Sequence, residues 1–246
     1  MHLNTDGLVI TENTTGESDR IVTLLTRDHG IIRAFARGAK SVKNRNMSGT
    51  QIFAYSRFSV YRGRDAYIID DAQPIEVFYK LRENLESISL AQYFCELAAY
   101  FAPEENDADE YLSVILNALY LWSNGKRPQP FLKAVTELRL MSLSGYMPSL
   151  LACNGCGKYI DDVMYFDSQN GLIHCQECSS YGIPISSGIL TAMRHICLSD
   201  PKKIFSFSMP DESLKFLSSV TEDYMSRHID KKFKTLSFYK SLKEGI

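Results

Sequence analysis

Residues 7–36 read GLVITENTTGESDRIVTLLTRDHGIIRAFA, and this stretch decides how the chain begins to fold. Gly7 to Glu12 and Arg20 to Thr26 are short β-favouring runs parted by the turn residues Thr15, Gly16, Glu17, Ser18 and Asp19. Asp28-His29-Gly30 then turns the chain into Ile31 to Ala36. Further on, Phe53 to Tyr61 and Tyr67 to Ile69 are strand-like, after a polar, glycine-bearing stretch from Gly38 to Gly49. In the first of these, Phe53 and Tyr55 give way to Phe58 and Val60, a phase slip that predicts a bulge. Five short strands with regular turns predict a small β-barrel over residues 1–80.

Beyond Pro74 the pattern is helical. Leu85 to Phe101 and Tyr111 to Trp122 are apolar on wide faces and flank an acidic loop around Pro103 to Asp107. Phe131, Ala134, Val135, Leu138, Met141 and Ser142 recur at three- and four-residue steps, with Pro130 near the start and Gly145 and Pro148 past the end. Ser187 to Leu198 and Asp211 to His228 are two more helical stretches. The expected architecture is α+β and multidomain: a barrel at 1–80, a helical domain from 81–150 and 181–246, and an insert at 151–180.

That insert carries Cys153-Asn154-Gly155-Cys156 and Cys175-Gln176-Glu177-Cys178, with eighteen residues between Cys156 and Cys175. The spacing suits a four-thiolate zinc site, and Gly155 and Gly157 supply the permissive backbone of a knuckle. Val163 to Asp167 and Leu172 to His174, joined by Ser168-Gln169-Asn170-Gly171, predict a hairpin, so the insert reads as a zinc ribbon. Four thiolates leave no coordination position for water, which makes one Zn2+ structural and not catalytic. A redox pair and a metal-free insert are the alternatives. Cys95 and Cys197 fall in apolar helical stretches, as core thiols do, and His174 reads as a hairpin surface residue.

The formal net charge of −2 hides a segregation. Arg27, Arg33, Arg37, Lys40, Lys43, Arg45, Arg57, Arg62 and Arg64 face a single acid, Asp28, whereas Glu104, Glu105, Asp107, Asp109 and Glu110 cluster elsewhere. Binding single strands without reading sequence takes cations for phosphates and aromatic faces for bases. Phe35, Tyr55, Phe58 and Tyr61 lie among these cations, with the barrel interior as their other possible place. A second basic group, Arg227, Lys231, Lys232, Lys234, Lys240 and Lys243, either extends such a track or is an ordinary charged helix end. No run of about 18 apolar residues occurs and Met1 to Asp6 is polar, so a cytoplasmic protein is expected. A phosphate-binding loop, an H-E-x-x-H and a deaminase signature are all missing, which argues against an enzyme.

The run GESDRIVTLLTRDHG at 16–30, followed by ARGAK at 36–40, resembles the N-terminal signature of RecO proteins. FSVYRGR at 58–64, Glu137 to Leu140 leading to Gly145-Tyr146-Met147-Pro148, the two C-x-x-C pairs and Lys234-Thr235-Leu236 follow in that family's order. The resemblance implies an N-terminal OB-fold, a helical domain and a zinc-finger insert. It also implies a recombination mediator in DNA repair, nucleoid-associated, that binds single- and double-stranded DNA and anneals strands coated by single-strand-binding protein. The implied partners are RecR, the acidic C-terminal tail of single-strand-binding protein and, indirectly, RecA. DNA-binding residues carried over are Arg33, Arg37 and Lys40, with Lys43 and Arg45 as neighbours and Arg57, Arg62 and Arg64 completing the basic set. Lys133 and Arg139 are candidate contacts for an acidic tail. The loop Ser41 to Gly49 departs from a dense basic clamp, with Asn44, Asn46 and Met47 interspersed. An RNA-binding protein is the competing reading, since OB-folds and zinc ribbons occur there too.

Overall fold

The computed structural model describes residues 2–63 and 66–244 and, in order, strands β1 (His2–Thr15), β2 (Asp19–Thr26), β3 (Gly30–Ala36), β4 (Ala54–Arg62) and β5 (Tyr67–Val77). Helices α1 (Leu85–Phe101), α2 (Asp109–Ser123) and α3 (Gln129–Leu143) follow, then β6 (Val163–Asp167), β7 (Leu172–Cys175), β8 (Ile183–Ser186), α4 (Ser187–Leu198), α5 (Asp211–His228) and α6 (Lys234–Glu244). The chain divides into two compact units, Met1–Lys126 with Phe233–Ile246, and Arg127–Lys232. Helices expected to form one domain are therefore shared out: α1, α2 and α6 belong with the N-terminal strands.

In the first unit the strands close into a barrel in the order β1-β2-β3-β5-β4. All seams are antiparallel except β3 with β5, where Ala34 faces Tyr67 and Phe35 faces Ile68. Alternate residues point inward, and Val9, Val22, Leu24, Ile32, Ala34, Phe58, Val60 and Ile69 are among those that fill the interior. Leu8 and Leu25, register partners outside that cluster, are equally buried on the opposite face, where α1 and α2 lie against β1.

Burial in β4 alternates without a break, Ala54, Ser56, Phe58 and Val60 pointing in, so the expected bulge is not in that strand. It is in β5: the register with β4 steps past Asp70 and past Ile75. Tyr55 faces outward, and Phe53 precedes the strand at φ 63°, which accounts for the misleading phase. β1 and β5 run well beyond their apolar cores because their ends are half-exposed and polar, a pattern that carries no hydrophobic mark.

Asn84 caps α1 by accepting from the Ser87 N–H at 2.7 Å. Helix α6, which in the sequence stands out only by its charge, seats Leu236 and Tyr239 in buried positions and packs on α1. Thr235 at its start donates to Glu96, and Phe233 meets Tyr93 edge-on at 5.9 Å between ring centroids.

The second unit is built round α3, whose residues Phe131 to Met141 are all buried, with α4 and α5 packed against it. Gly145, at φ 89°, ends α3 in the left-handed conformation that glycine tolerates. A three-stranded sheet in the order β7-β6-β8 completes the unit. β8 escaped sequence reading because four residues including Pro184 carry no periodicity. No helix among the described residues is long and apolar enough to cross a membrane.

Candidate functional site

Two places in this fold gather chemistry: a cysteine cluster in the second unit and the outer face of the barrel in the first. Cys153, Cys156, Cys175 and Cys178 bring their sulfurs within 4.8 Å of one another. A tetrahedral set of sulfurs about 2.3 Å from a zinc ion would stand about 3.8 Å apart, and the Cys156–Cys175 pair is at 3.6 Å. The donor set therefore fits one metal ion. Gly157, at φ 76°, lets the first knuckle turn back so that its N–H reaches the Cys153 carbonyl. The N–H groups of Cys178 and Ser179 close the second on the Cys175 carbonyl.

The cluster is held by its surroundings. The Asn154 N–H donates to Ile173 O on β7 at 2.8 Å, and Cys153 N–H to Lys158 O at 2.8 Å. Lys158 bridges the two halves through Asp161 at 3.0 Å and Glu177 at 3.4 Å. Arg194 of α4, invisible to sequence reasoning, donates to the carbonyls of Leu150 and Leu151 and stacks on Tyr159 at 4.0 Å, clasping both ends of the first knuckle. Burial alone would raise the Cys153 thiol, but the N–H groups of Cys175 and Gly155 point at its sulfur and hold it at about 6. Between the knuckles, Asp167 accepts from the backbones of Gln169 and Asn170 and from the Asn170 side chain, which builds the expected turn; despite burial these bonds hold its carboxyl below the usual range. Cys95 and Cys197 are buried and are not part of the cluster, with burial pushing Cys197 up to about 11. His174 is half-buried on β7, opposite Tyr165.

On the barrel, strand alternation puts Arg33 and Phe35 on the outer face of β3, both exposed, while Arg37, just past the strand end, and Lys40 and Lys43 in the following loop are exposed as well. Among the described residues none of these four cations has an acidic partner. The other sequence candidates are engaged: Arg45 with Asp71 at 3.4 Å, Arg57 with Asp6 at 3.0 Å and Arg62 with Glu105 at 3.6 Å. Those pairs are solvent-exposed, where an ion pair contributes only about 0–1 kcal/mol. Arg64 and the side chain of Lys243 lie outside the described residues.

Of the four aromatics, Phe58 is wholly inside the barrel, so it cannot offer a face to a ligand. Phe35 is 37 % exposed. Across the outer surface Ile21, Phe35, Ile68, Tyr61 and His2 stand in register on β2, β3, β5, β4 and β1, an apolar belt beside the cations. Tyr55 is half-buried, its hydroxyl accepting from Arg27 at 3.4 Å.

The asparagines that thin out the basic loop have a structural task. Asn44 donates to Arg37 O, and Asn46 pairs with Asp70 O and the Ala72 N–H, tying the loop to β5. Arg20 reinforces it by donating to Met47 O and Thr50 while pairing with Glu12 at 2.7 Å.

Lys133 and Arg139 are corrected by the structure. Both are buried on α3: Lys133 is paired with Glu137 at 2.8 Å and Glu222 at 2.9 Å, and Arg139 donates to Ile196 O and Cys197 O. A helix buried on all sides shows its cations to no ligand. The C-terminal basic group falls in two units, with Arg227 held by Asp223 at 2.8 Å.

Comparison with known proteins identifies the family. The family model described as recombination protein O N terminal matches residues 1–78, and recombination protein O C terminal matches 82–237. The chain is 34 % identical over 244 residues to the DNA repair protein RecO of Acetivibrio thermocellus, covering 98 % of this chain and 97 % of that protein. It is 31 % identical over 249 residues to the protein of that name from Symbiobacterium thermophilum, covering 98 % of each. For the one from Alkaliphilus metalliredigens the identity is 28 % over 246 residues, 98 % of this chain and all of that protein. With both family models matched and this similarity running the length of the chain, the chain belongs to the RecO family.

Proposed function

We propose that the chain is a non-enzymatic mediator of recombinational DNA repair whose barrel binds single- and double-stranded DNA and brings complementary strands together. The coarser part, a role in DNA repair, comes with the family. The observation that carries the rest is the outer face of β3 and the loop that follows it, where Arg33, two residues from the exposed Phe35, and then Arg37, Lys40 and Lys43 have no acidic partner among the described residues. Two polyanions approach one another only if their repulsion is lowered, and cations free to take phosphates do this. Arg45, Arg57 and Arg62 would join once a strand competes with their acids, and Arg64 completes the proposed set. Base pairing releases the free energy, so no fuel is consumed.

The barrel is proposed to be an OB-fold. The strand order with one parallel β3–β5 seam supports it, as does the position of the cations on β3 and just after it, since OB-folds bind oligonucleotides on the face of their second and third strands. One Zn2+ on Cys153, Cys156, Cys175 and Cys178 would cross-link the two knuckles of a ribbon over residues 151–180 and supply stability, not reactivity. Partners in this reading are the acidic tail of single-strand-binding protein, RecR and, through them, RecA, in the bacterial cytoplasm at the nucleoid. Burial takes Lys133 and Arg139 out of the tail-binding surface.

The test is annealing of complementary strands coated with single-strand-binding protein, run without ATP. Accelerated annealing is expected, and no acceleration would reject the reading. Competition between DNA and RNA strands of equal length separates it from RNA binding, with preference for RNA counting against it. Metal analysis of the purified chain should find about one zinc per chain, and Cys153→Ser with Cys156→Ser should lose it.

A further inference from the structure

Beside the β3 face the first unit has a cleft of about 360 Å³, lined by Arg33, Arg62, Tyr67, Glu104 and Glu105 among others. Ligand pockets run from about 300 to 1,000 Å³, so its size is that of a small-ligand site. One wall comes from the strands and the other from the acidic loop between α1 and α2.

That loop is firmly placed. Ile31 N–H donates to Pro103 O at 2.9 Å, Ala108 N–H to Arg27 O at 2.8 Å, and Arg27 pairs with Asp109 at 3.4 Å. The approach at Gly30 is so close that a Cβ there would sit 2.0 Å from the Pro103 oxygen. Glu105 is held at φ 54°, a conformation that costs a residue with a side chain free energy and persists only where its surroundings enforce it.

The lining divides into roles. Arg62 spans the cleft to Glu105 at 3.6 Å and lies 6.0 Å from the Tyr67 ring centroid. Glu104 and Arg33 are both exposed and, among the described residues, the Glu104 carboxylate has no cation and Arg33 no acid. Tyr67, packed against the barrel interior with Arg62 over its ring, thus shares one small cleft on the rim of the proposed DNA path with a cation and a carboxylate that have no charged partner among the described residues. A simple phosphate site would not retain the carboxylate, which repels phosphate.

We propose that the cleft receives one base of the bound strand and prefers guanine. This rests on the reading of the β3 face as the single-strand path. The Watson–Crick edge of guanine carries two adjacent N–H donors, which the two oxygens of Glu104 accept together. Thymine presents one N–H between two carbonyl oxygens, which the carboxylate repels. The Arg62 guanidinium, backed by Tyr67, provides the stacking surface, and Arg33 takes a flanking phosphate.

The experiment measures binding of the full chain to an oligothymidylate of about twelve nucleotides, within the span of one barrel, and to the same strand with one central dG or one central dA. The dG strand should bind about tenfold more tightly than oligothymidylate, the scale of one bidentate base contact, and more tightly than the dA strand. Glu104→Ala, an exposed position whose change should leave the melting temperature in place, should bring the dG and dT affinities within about twofold of each other. Equal affinities in the unmodified chain, or a dG preference that survives Glu104→Ala, would overturn the proposal while oligothymidylate binding leaves the DNA reading intact. Failure to bind any of the strands would remove both.

Discussion

A Cβ placed on Gly155 would lie 2.9 Å from the sulfur of Cys178: the first knuckle passes within van der Waals distance of the second. Gly155→Ala should therefore push the Cys178 sulfur off its position. With metal bound the sulfur cannot yield, so the variant should lose about 1–3 kcal/mol, as overpacking does. Without metal it should lose less. Melting curves with and without a chelator measure both, and a variant that melts like the parent in each condition would count against a metal-clamped cluster.

Charge reversal at Arg37 and Lys40 together should weaken single-strand binding about equally across sequences. The slope of log K against log salt should flatten by about 0.7 for each phosphate no longer neutralised, hence by about 1.4 for two. Titrations at several salt concentrations read this directly; an unchanged slope would move the DNA to another surface.

Phe35 and Phe58 lie in one barrel and should respond in opposite ways. Phe35→Ala removes an outward ring and should cost about 1–3 kcal/mol of single-strand binding with little loss of stability. Phe58→Ala empties part of the barrel interior and should cost about 3–5 kcal/mol of stability. Denaturant melts beside binding curves separate the two, and intact DNA affinity in the Phe35 variant would reject the stacking role.

Lys133→Met should be strongly destabilising, by about 3–5 kcal/mol, because it leaves Glu137 buried without its cation. Burial opposes the charge on Lys133, but Glu137 and Glu222 outweigh it and hold the ammonium above its ordinary value. A group raised in the folded state contributes its stability in full below the unfolded pKa, about 10.4 for lysine, and loses it as pH rises through the folded value. The parent should thus show no loss from this group near neutrality and a decline only in strong alkali, which a pH series of melts would reveal. A Lys133 variant as stable as the parent would show the network to be dispensable.

Periodicity alone was enough for much of the architecture. Alternation in Arg20 to Thr26 and Ile31 to Ala36 marked strands, the steps from Phe131 to Met141 marked α3, and the cysteine spacing marked a four-thiolate cluster. These features are local, and each writes itself into neighbouring residues. Where local pattern was weak, as in the polar ends of β1 and β5, Pro-bearing β8 and the charged α6, the elements form because tertiary packing stabilises them.

For this protein the sequence by itself determined most of the segments that become strands and helices, which cysteines can converge and where positive charge concentrates. Only the tertiary structure decided that Phe58 turns inward while Phe35 stays out, that Lys133 and Arg139 are consumed inside the second unit, and that Arg33, Arg37, Lys40 and Lys43 meet no acid among the described residues. Periodicity says which way a side chain points, but what it meets there depends on segments far away in the chain, and burial and ion pairing are properties of that meeting.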